Sequence, residues 1–559
     1  MPSNAPAESP VPPPPPIHKG RFVDPPTPKG RAVLLTSDQE RAVSAVERVV
    51  SGHRRRPVVL VAHRGRGKST ALGVAAARLV DAKRVGRVAV VAPHGAAVSA
   101  LLEHAGPAAR ERIDVVSPWA AAGPLEADLV LVDEAAAVPV HLLAAMLEHH
   151  ARIAFATTVH GYEGTGRGFE LRFRAVLDRL TPQWREIPLR QPVRWSEGDP
   201  LERLFFEMLL LDAEPAPAEA LAGVEPVVER IDRDRLAADE LLLRQLFGLL
   251  VTAHYRTRPH DLRALLDAPG VTLHAALCGG AVAGVAVAQT EGGFDAETAE
   301  AIWSGRRRPR GHLMAQSLAI HAGVEDAPRR RFQRITRIAV HPALRRRGIG
   351  RRLVAAVTAD AAAAGADLVG SSFGATEELV AFWRGVGLQP VRVGSRRDAA
   401  SGAHSVMVAA PLTAAGEAVT AEARRRLGEG AAALLGEPLA GLEPEIASAV
   451  FAGSVPPPPL PAWAVRDLEG FAGGDRGYEP TLPALTLLAL NVLLGSSKNR
   501  CPGVVPEFQC GALIMKVLQR RPWAEVAGFL GVAGRRPVVA GLRAMVRAYL
   551  TGGGALPRE

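Results

Sequence analysis

Two short stretches carry residues suited to holding phosphate. In VAHRGRGKST (61–70) a Gly-rich loop follows the β-like run RPVVLVAH (56–63) and opens a helical pattern, KSTALGVAAARLVDA (68–82). That strand–loop–helix context is what a P-loop requires. Gly65 and Gly67 let the backbone N–H groups of Gly65–Thr70, Arg66 included, close on a β-phosphate; Lys68 supplies a cation toward the β- and γ-phosphates; the Ser69 hydroxyl is a Mg²⁺ ligand. Ala62 stands where the strict pattern has its first glycine. A second motif completes the set. LVLVDEAAAVP (129–139) is an apolar strand ending in Asp133 and Glu134, suited to holding the Mg²⁺ shell and polarising the attacking water. Two further residues fit ATP: Gln39, in LTSDQERAV, as a reader of adenine, and Arg194, in QPVRWSEGDPLE (191–202), as an arginine finger. Each could equally be a solvated loop residue. TTVHGYEGTGRGF (157–169) is a Gly-rich loop suited to sensing the γ-phosphate or touching RNA.

The second stretch, ITRIAVHPALRRRGIGRRL (335–353), places Arg345, Gly348 and Gly350 at R-x-x-G-x-G between a strand and a long amphipathic helix. The Arg345–Arg351 segment, with Arg346, Arg347 and Ile349, presents backbone N–H groups and positive charge to a pyrophosphate. The preceding Ile338, Ala339 and Val340 are placed to pair with a pantetheine arm. A dinucleotide fingerprint is the competing reading, and its spacing and acidic residue are missing. The arrangement resembles the signature of GNAT acetyltransferases, which implies acetyl-CoA.

The elements that must position these residues divide the chain. A Pro-rich leader over 1–30 reads as disordered or polyproline II. Residues 31–212 alternate apolar runs (56–63, 87–94, 127–135, 151–159) with helical patterns, which predicts a RecA-like parallel sheet. A soft Ala/Pro stretch predicts a linker over 213–224. In 225–412 a hairpin over 272–293, a strand over 331–342 and the run DLVGSSFGATEELVAFWRGVGLQPVRVG (367–394) predict a GNAT α/β domain. Residues 413–559 read as mostly α-helical, with the Pro run 455–461 as a loop. The fold class is α/β multidomain. A length of 559 residues calls for several domains. Net charge of +10 favours a polyanionic partner, nucleic acid before membrane. Three cysteines without a CxxC pair, no signal-peptide pattern and no apolar run of ~20 residues predict a cytoplasmic protein with no membrane span and no zinc site. No stable protein partner can be inferred.

The combination of P-loop and GNAT motifs resembles the tRNA-Met cytidine acetyltransferase family over about residues 31–550. TTVHGYEGTGRGF, PVRW, AHYRTRPHDLRALLDAP (253–269) and RIAVHPALRRRGIGRRL carry the likeness. It implies ATP-dependent transfer of acetyl to N4 of an RNA cytidine, the wobble cytidine of elongator tRNA-Met, with ATP contacts at Gln39, Gly65–Ser69 and Arg194. It implies acetyl-CoA contacts at Ile338–Val340, Arg345–Arg351 and Glu378 in TEELVAFW. It also implies a tRNA-binding tail, carried by GDRGYEPTLPAL (474–485), KVLQRRPWAEVAGFLGVAGRR (516–536) and LRAMVRAYL (542–550), with Lys498, Arg500, Lys516, Arg520, Arg521, Arg535, Arg536, Arg543 and Arg547 tracking the phosphates. Two departures stand out. Gly385, beside Arg384, occupies the place of a basic residue one turn past the glutamate, and only the Pro-rich leader stands where the family has an extra N-terminal domain. The acetyl-transfer base is unassigned among His254, Glu291 and His341. A protein or small-molecule acetyltransferase regulated by an ATPase, or a non-acetylating RNA remodeller, are the alternatives.

Overall fold

The computed structural model describes residues 34–93, 95–158, 166–253, 259–398, 402–495 and 507–551. The leader, most of the 157–169 loop, His254, Lys498 and Arg500 lie outside them.

Six strands form the first sheet: β1 (Val58–Ala62), β2 (Val88–Val91), β3 (Ile113–Val116), β4 (Leu129–Val132), β5 (Ile153–Thr158) and β6 (Arg185–Leu189). Their order is β3-β2-β4-β5-β1-β6, every pair parallel. The central strands are apolar throughout because both faces are covered. Along β1, Val58, Leu60 and Ala62 enter one core while Val59 and Val61 enter the other; along β4, Leu129 and Leu131 alternate likewise with Val130 and Val132. Ser37–Ser51 and Lys68–Asp81 cover the first face, and Val140–His149 and Gly166–Leu180 the second. The order sets β5 between the P-loop strand β1 and the Asp133 strand β4 and brings both C-terminal ends to one edge of the sheet, where ligands bind in such folds.

The second sheet has seven strands: β7 (Val227–Ile231), β8 (Val271–Cys278), β9 (Ala281–Gly292), β10 (Arg331–Val340), β11 (Leu368–Gly374), β12 (Gln389–Arg397) and β13 (His404–Pro411). They run in the order β12-β13-β11-β10-β9-β8-β7. All pairs are antiparallel except β10–β11. The β8–β9 turn uses Gly279 and Gly280, both at positive φ. Helix Ile349–Ala363 packs on one face through Leu353, Val354 and Val357.

Two expectations change here. Residues 213–224 are irregular but do not form a free tether: Ala216 and Leu221 are buried in the core under the second sheet. Helix Glu240–Ala253 approaches residue 214 so closely that a Cβ on Gly248 would fall 2.4 Å from its backbone. The helical tail is likewise no separate body. Val419 and Ala423 of its first helix, Ala414–Glu429, join Phe332, Leu368, Met407 and Ala409 of the sheet in one core. Trp383 and Val380 share another core with Phe451, Phe471 and Val546.

Candidate functional site: two phosphate cradles and a cavity between strand and helix

The first cradle begins where β1 ends. Gly65 and Gly67 adopt φ of 78° and 74°, and helix Lys68–Asp81 starts at once, its first intrahelical bond running from Ala71 N–H to Gly67 O at 3.0 Å. The amides of a helix's first turn have no carbonyl one turn back, so this end attracts an anion. Lys68 is buried, with Nζ 3.2 Å from His63 O and 3.4 Å from Ala62 O. These carbonyls hold the ammonium at the loop. Asp133, fully buried at the end of β4, accepts the Glu134 N–H at 2.9 Å. Glu134 sits at φ 49°, a conformation that costs a non-glycine residue of order 1 kcal/mol and that recurs at functional sites.

Three predicted ATP contacts have partners of their own around the loop. Gln39 is the N3 residue of a capping box: its Oε1 accepts Thr36 N–H at 3.0 Å while Thr36 Oγ1 accepts Gln39 N–H at 3.2 Å. Its Nε2 donates to Gly67 O at 3.2 Å, so the amide sits directly against the P-loop. The T-x-x-Q spacing signals the capping role. Arg66 contributes only backbone to the cradle. Its guanidinium turns inward, donating to Arg190 O at 2.8 Å and to Glu202 at 2.6 Å, above the Trp195 ring. Trp195 Nε1 donates to the other Glu202 oxygen at 2.8 Å, and its ring closes on Gly65, where a Cβ would fall 2.5 Å from it. Arg194 lies exposed between Val193, whose N–H bonds Gly65 O at 3.0 Å, and Trp195. Its backbone is thus tied to the P-loop while its side chain is directed to solvent.

Motif spacing did not single out Glu202 and Trp195, which clamp the loop from a distant turn. Glu202→Ala would strip a buried cation of its carboxylate, which costs about 2–4 kcal/mol when one partner of a mostly buried pair is removed. A lowered Tm together with weaker ATP binding is expected. Calorimetry checks both, and Glu202→Gln should recover part of the loss.

The second cradle depends on a divergence of strands. β10 pairs with β11 only from Phe332 to Ile335; beyond a bulge at Thr336 it continues along β9 alone. Ile338, Ala339 and Val340 therefore present a main-chain edge to a cleft of about 940 Å³. Helix Ile349–Ala363 begins in that cleft, capped by Gly348 at φ 80°, with Arg352 N–H bonding Gly348 O at 3.1 Å. Every predicted acetyl-CoA residue lines the cleft except Arg347. Arg346 and Glu378, both exposed, pair across it at 2.9 Å. Gly350 faces Phe382, whose ring would lie 3.2 Å from a Cβ there. Arg384 is spent elsewhere, donating to Ala449 O at 2.7 Å and Ala452 O at 3.2 Å at the end of helix Pro444–Phe451. Gly385 lines the cleft in its place.

A third feature adjoins these. On β10 just before Ile338, residues Arg334, Thr336 and Arg337 line a separate cavity of about 640 Å³, closed by His260, Asp261, Gln289 and the 310–312 turn. Arg337 pairs with Asp261 at 2.8 Å. Glu291 is not available as a base: it is fully buried and its two oxygens accept Arg334 Nε at 2.5 Å and Met314 N–H at 2.7 Å. His341 caps the turn Pro342–Leu344, its Nδ1 accepting Ala343 N–H at 3.3 Å. Burial pushes its pKa below the ordinary imidazole value, a bond with the Ala216 backbone opposes, and Arg345 adds to the lowering. In the tail, Lys516, Arg521, Arg543 and Arg547 donate to main-chain carbonyls, Arg521 to Ala440 O and Leu442 O at 2.9 and 2.7 Å. Arg535 pairs with Glu479. These cations hold the tail together; Arg520 and Arg536 remain exposed.

Residues 59–212 match the helicase domain of the RNA cytidine acetyltransferase NAT10/TcmA family, and residues 245–360 match GNAT acetyltransferase 2. The tRNA(Met) cytidine acetyltransferase TmcA of Nitrosococcus halophilus is 44% identical over 96% of this chain and 74% of its own length. The chain belongs to the tRNA(Met) cytidine acetyltransferase family. Members from Vibrio cholerae (37% identity, 92% of this chain, 72% of the relative) and Haloarcula marismortui (36%, 90% and 68%) show how widely the family extends. Within this family member both motif sets fall inside the matched regions, except Gln39 and Glu378, which lie outside the two domain matches. No helix among the described residues is long and apolar enough to cross a membrane.

Proposed function

We propose that this chain transfers acetyl from acetyl-CoA to N4 of a cytidine in tRNA, the wobble cytidine of elongator tRNA-Met, and that ATP hydrolysis reshapes the RNA for that transfer. The observation that carries the reading is the parting of β10 from β11 beyond Ile335 beside the Gly348 helix start, in a chain that also holds a P-loop. The free edge at Ile338–Val340 suits an amide-bearing arm, and the helix end suits its pyrophosphate.

Cytidine N4 is a poor nucleophile because its lone pair is delocalised into the ring. Positioning therefore supplies most of the catalysis. The N4–carbon bond forms as the carbon–sulfur bond breaks; one N4 proton leaves to a base and the thiolate takes up a proton. Backbone N–H groups near Val340 stabilise the developing oxyanion. The cavity lined by Arg334 and Arg337 comes just before the cleft residues Ile338–Val340 along β10 and would receive the extruded base. In the first cradle, Ser69 and Asp133 are hard oxygen donors that fit Mg²⁺, which would neutralise phosphate charge; Lys68 holds the β- and γ-phosphates and Glu134 orients water.

Incubation with tRNA, ATP and acetyl-CoA followed by nucleoside mass spectrometry tests this. N4-acetylcytidine is expected. Acetyl groups on protein or a small amine alone would favour a regulated protein or small-molecule acetyltransferase, and absence of acetyl-CoA binding would favour a non-acetylating remodeller.

A further inference from the structure

Between helices Ala296–Trp303 and Leu313–Ala322 the chain reads SGRRRPRGH (304–312), a basic turn that the two cradles leave unexplained. The turn is built, not loose. Gly305 and Gly311 at φ 78° and 86° bracket it. Arg307 N–H bonds Ala301 O at 2.9 Å and its guanidinium reaches Thr298 Oγ1 at 3.3 Å. Gln316 Nε2 holds Pro309 O, and also His312 O at 3.0 Å. His312 in turn accepts Gly292 N–H through Nδ1 at 2.9 Å and packs on Phe294.

On this frame Arg306, Arg308 and Arg310 are exposed, and among the described residues none of them forms an ion pair. Arg306 bonds only the neighbouring Ser304 hydroxyl. Other surface arginines of this chain have carboxylate partners, as Arg352 has Glu225 and Arg425 has Glu422; here three without one fall within five residues. Arg310, Gly311 and His312 form one wall of the 640 Å³ cavity, so the unneutralised charge stands at its mouth. The positive field extends over the surface: burial, then Arg392, then Arg308 lower the pKa of His321. Trp303, 39% exposed, adds an aromatic face beside the arginines. Charge without acidic partners, guanidinium geometry and an exposed indole suit a polyanion that also carries stacking rings, which describes RNA better than an acidic peptide.

We propose that the 305–311 turn is an RNA phosphate clamp that grips the backbone beside the cytidine whose base enters the adjoining cavity. This rests on the RNA acetyltransferase reading and adds to it the element that seats the substrate. It moves the principal RNA contact from the tail, whose arginines are largely committed to carbonyls, to the rim of the acceptor cavity.

The test measures tRNA affinity of the full chain by fluorescence anisotropy across a salt series, for wild type and for R306A/R308A/R310A, with Arg307 left in place to hold the turn. The dissociation constant is expected to rise on the order of tenfold or more at ~0.1 M salt, and the slope of log Kd against log salt to fall by about two to three. Acetyl-CoA affinity should not change. R306K/R308K/R310K should keep a slope near wild type. Unaltered affinity and slope in the alanine variant would overturn the clamp, as would a lysine variant as weak and as flat as the alanine one. Wild-type protein that binds tRNA with the clamp's salt dependence yet never acetylates it would overturn the acetyltransferase reading instead, leaving the clamp standing.

Discussion

Valine at position 348 is expected to abolish acetyl transfer while ATP hydrolysis continues. Gly348 caps helix Ile349–Ala363 at φ 80°, where a β-branched residue is strained whatever space surrounds it. No atom lies within 4 Å of the Cβ position, so the substitution does not clash with the fold itself. The cost falls on the local backbone, about 1–3 kcal/mol, and is relieved by rotating the loop out of the left-handed conformation. That rotation turns away the amides that would face the pyrophosphate. Losing two charge-assisted bonds at ~1.5–3 kcal/mol each weakens acetyl-CoA binding on the order of 10²-fold or more. Calorimetry with acetyl-CoA checks it. Gly350→Val should act differently, by pressing on Phe382 at 3.2 Å. Unaltered acetyl-CoA binding in both variants would mean that the loop is not the cradle.

Lys68→Ala should produce the complementary loss: ATP hydrolysis down by about two to three orders of magnitude, the range seen when one preorganised electrostatic stabiliser is removed, with acetyl-CoA affinity retained. Lys68 follows β1 in the first sheet, whereas the acetyl-CoA cleft is built on β10 of the second. Its ammonium sits 3.2 Å from the His63 carbonyl, on the loop that Gln39 and Trp195 brace from either side. The loop therefore has supports that do not depend on the lysine, and the variant should fold. Steady-state phosphate release measures the effect; wild-type turnover would remove the ATPase assignment.

How much of this was readable in the chain follows from where side chains lie. The strands of the first sheet that are buried on both faces stand out as continuous apolar runs, and each was placed within a few residues. β3 and β6 were not among the expected strands. They are the edges of the sheet, and Asp114, Val115, Arg185, Glu186 and Pro188 are exposed on them, so neither has an apolar signature. The Ala/Pro composition of 213–224 suggested a tether, yet small residues such as Ala216 are the ones able to pack under a helix. Both cradles were legible because glycine, lysine and the strand before them act through local geometry. The roles of Gln39, Arg66 and Glu202 were not, since each is decided by a partner distant in sequence: Gly67 for Gln39, and residue 202 for Arg66. The partners of the tail arginines were hidden for the same reason. A basic run shows charge, but nothing in it shows that Arg521 caps Ala440 and Leu442. The cavity beside β10 joins residues from 247 to 337 and has no motif at all.

Acyl transfer from a thioester is downhill without ATP, so a second cradle makes sense here if hydrolysis acts on the RNA. Extruding a base from a folded substrate costs a few kcal/mol. Glu134, at φ 49° beside the buried Asp133, is the residue we propose to orient the water. The most direct measurement compares Glu134→Gln with wild type on folded tRNA and on a short unstructured oligonucleotide carrying the same cytidine, reading N4-acetylcytidine by mass spectrometry with ATP binding verified. The account predicts a severe defect on folded tRNA that largely disappears on the oligonucleotide. An equal defect on both substrates would contradict it, and would mean that the ATPase gates the acetyltransferase sheet directly.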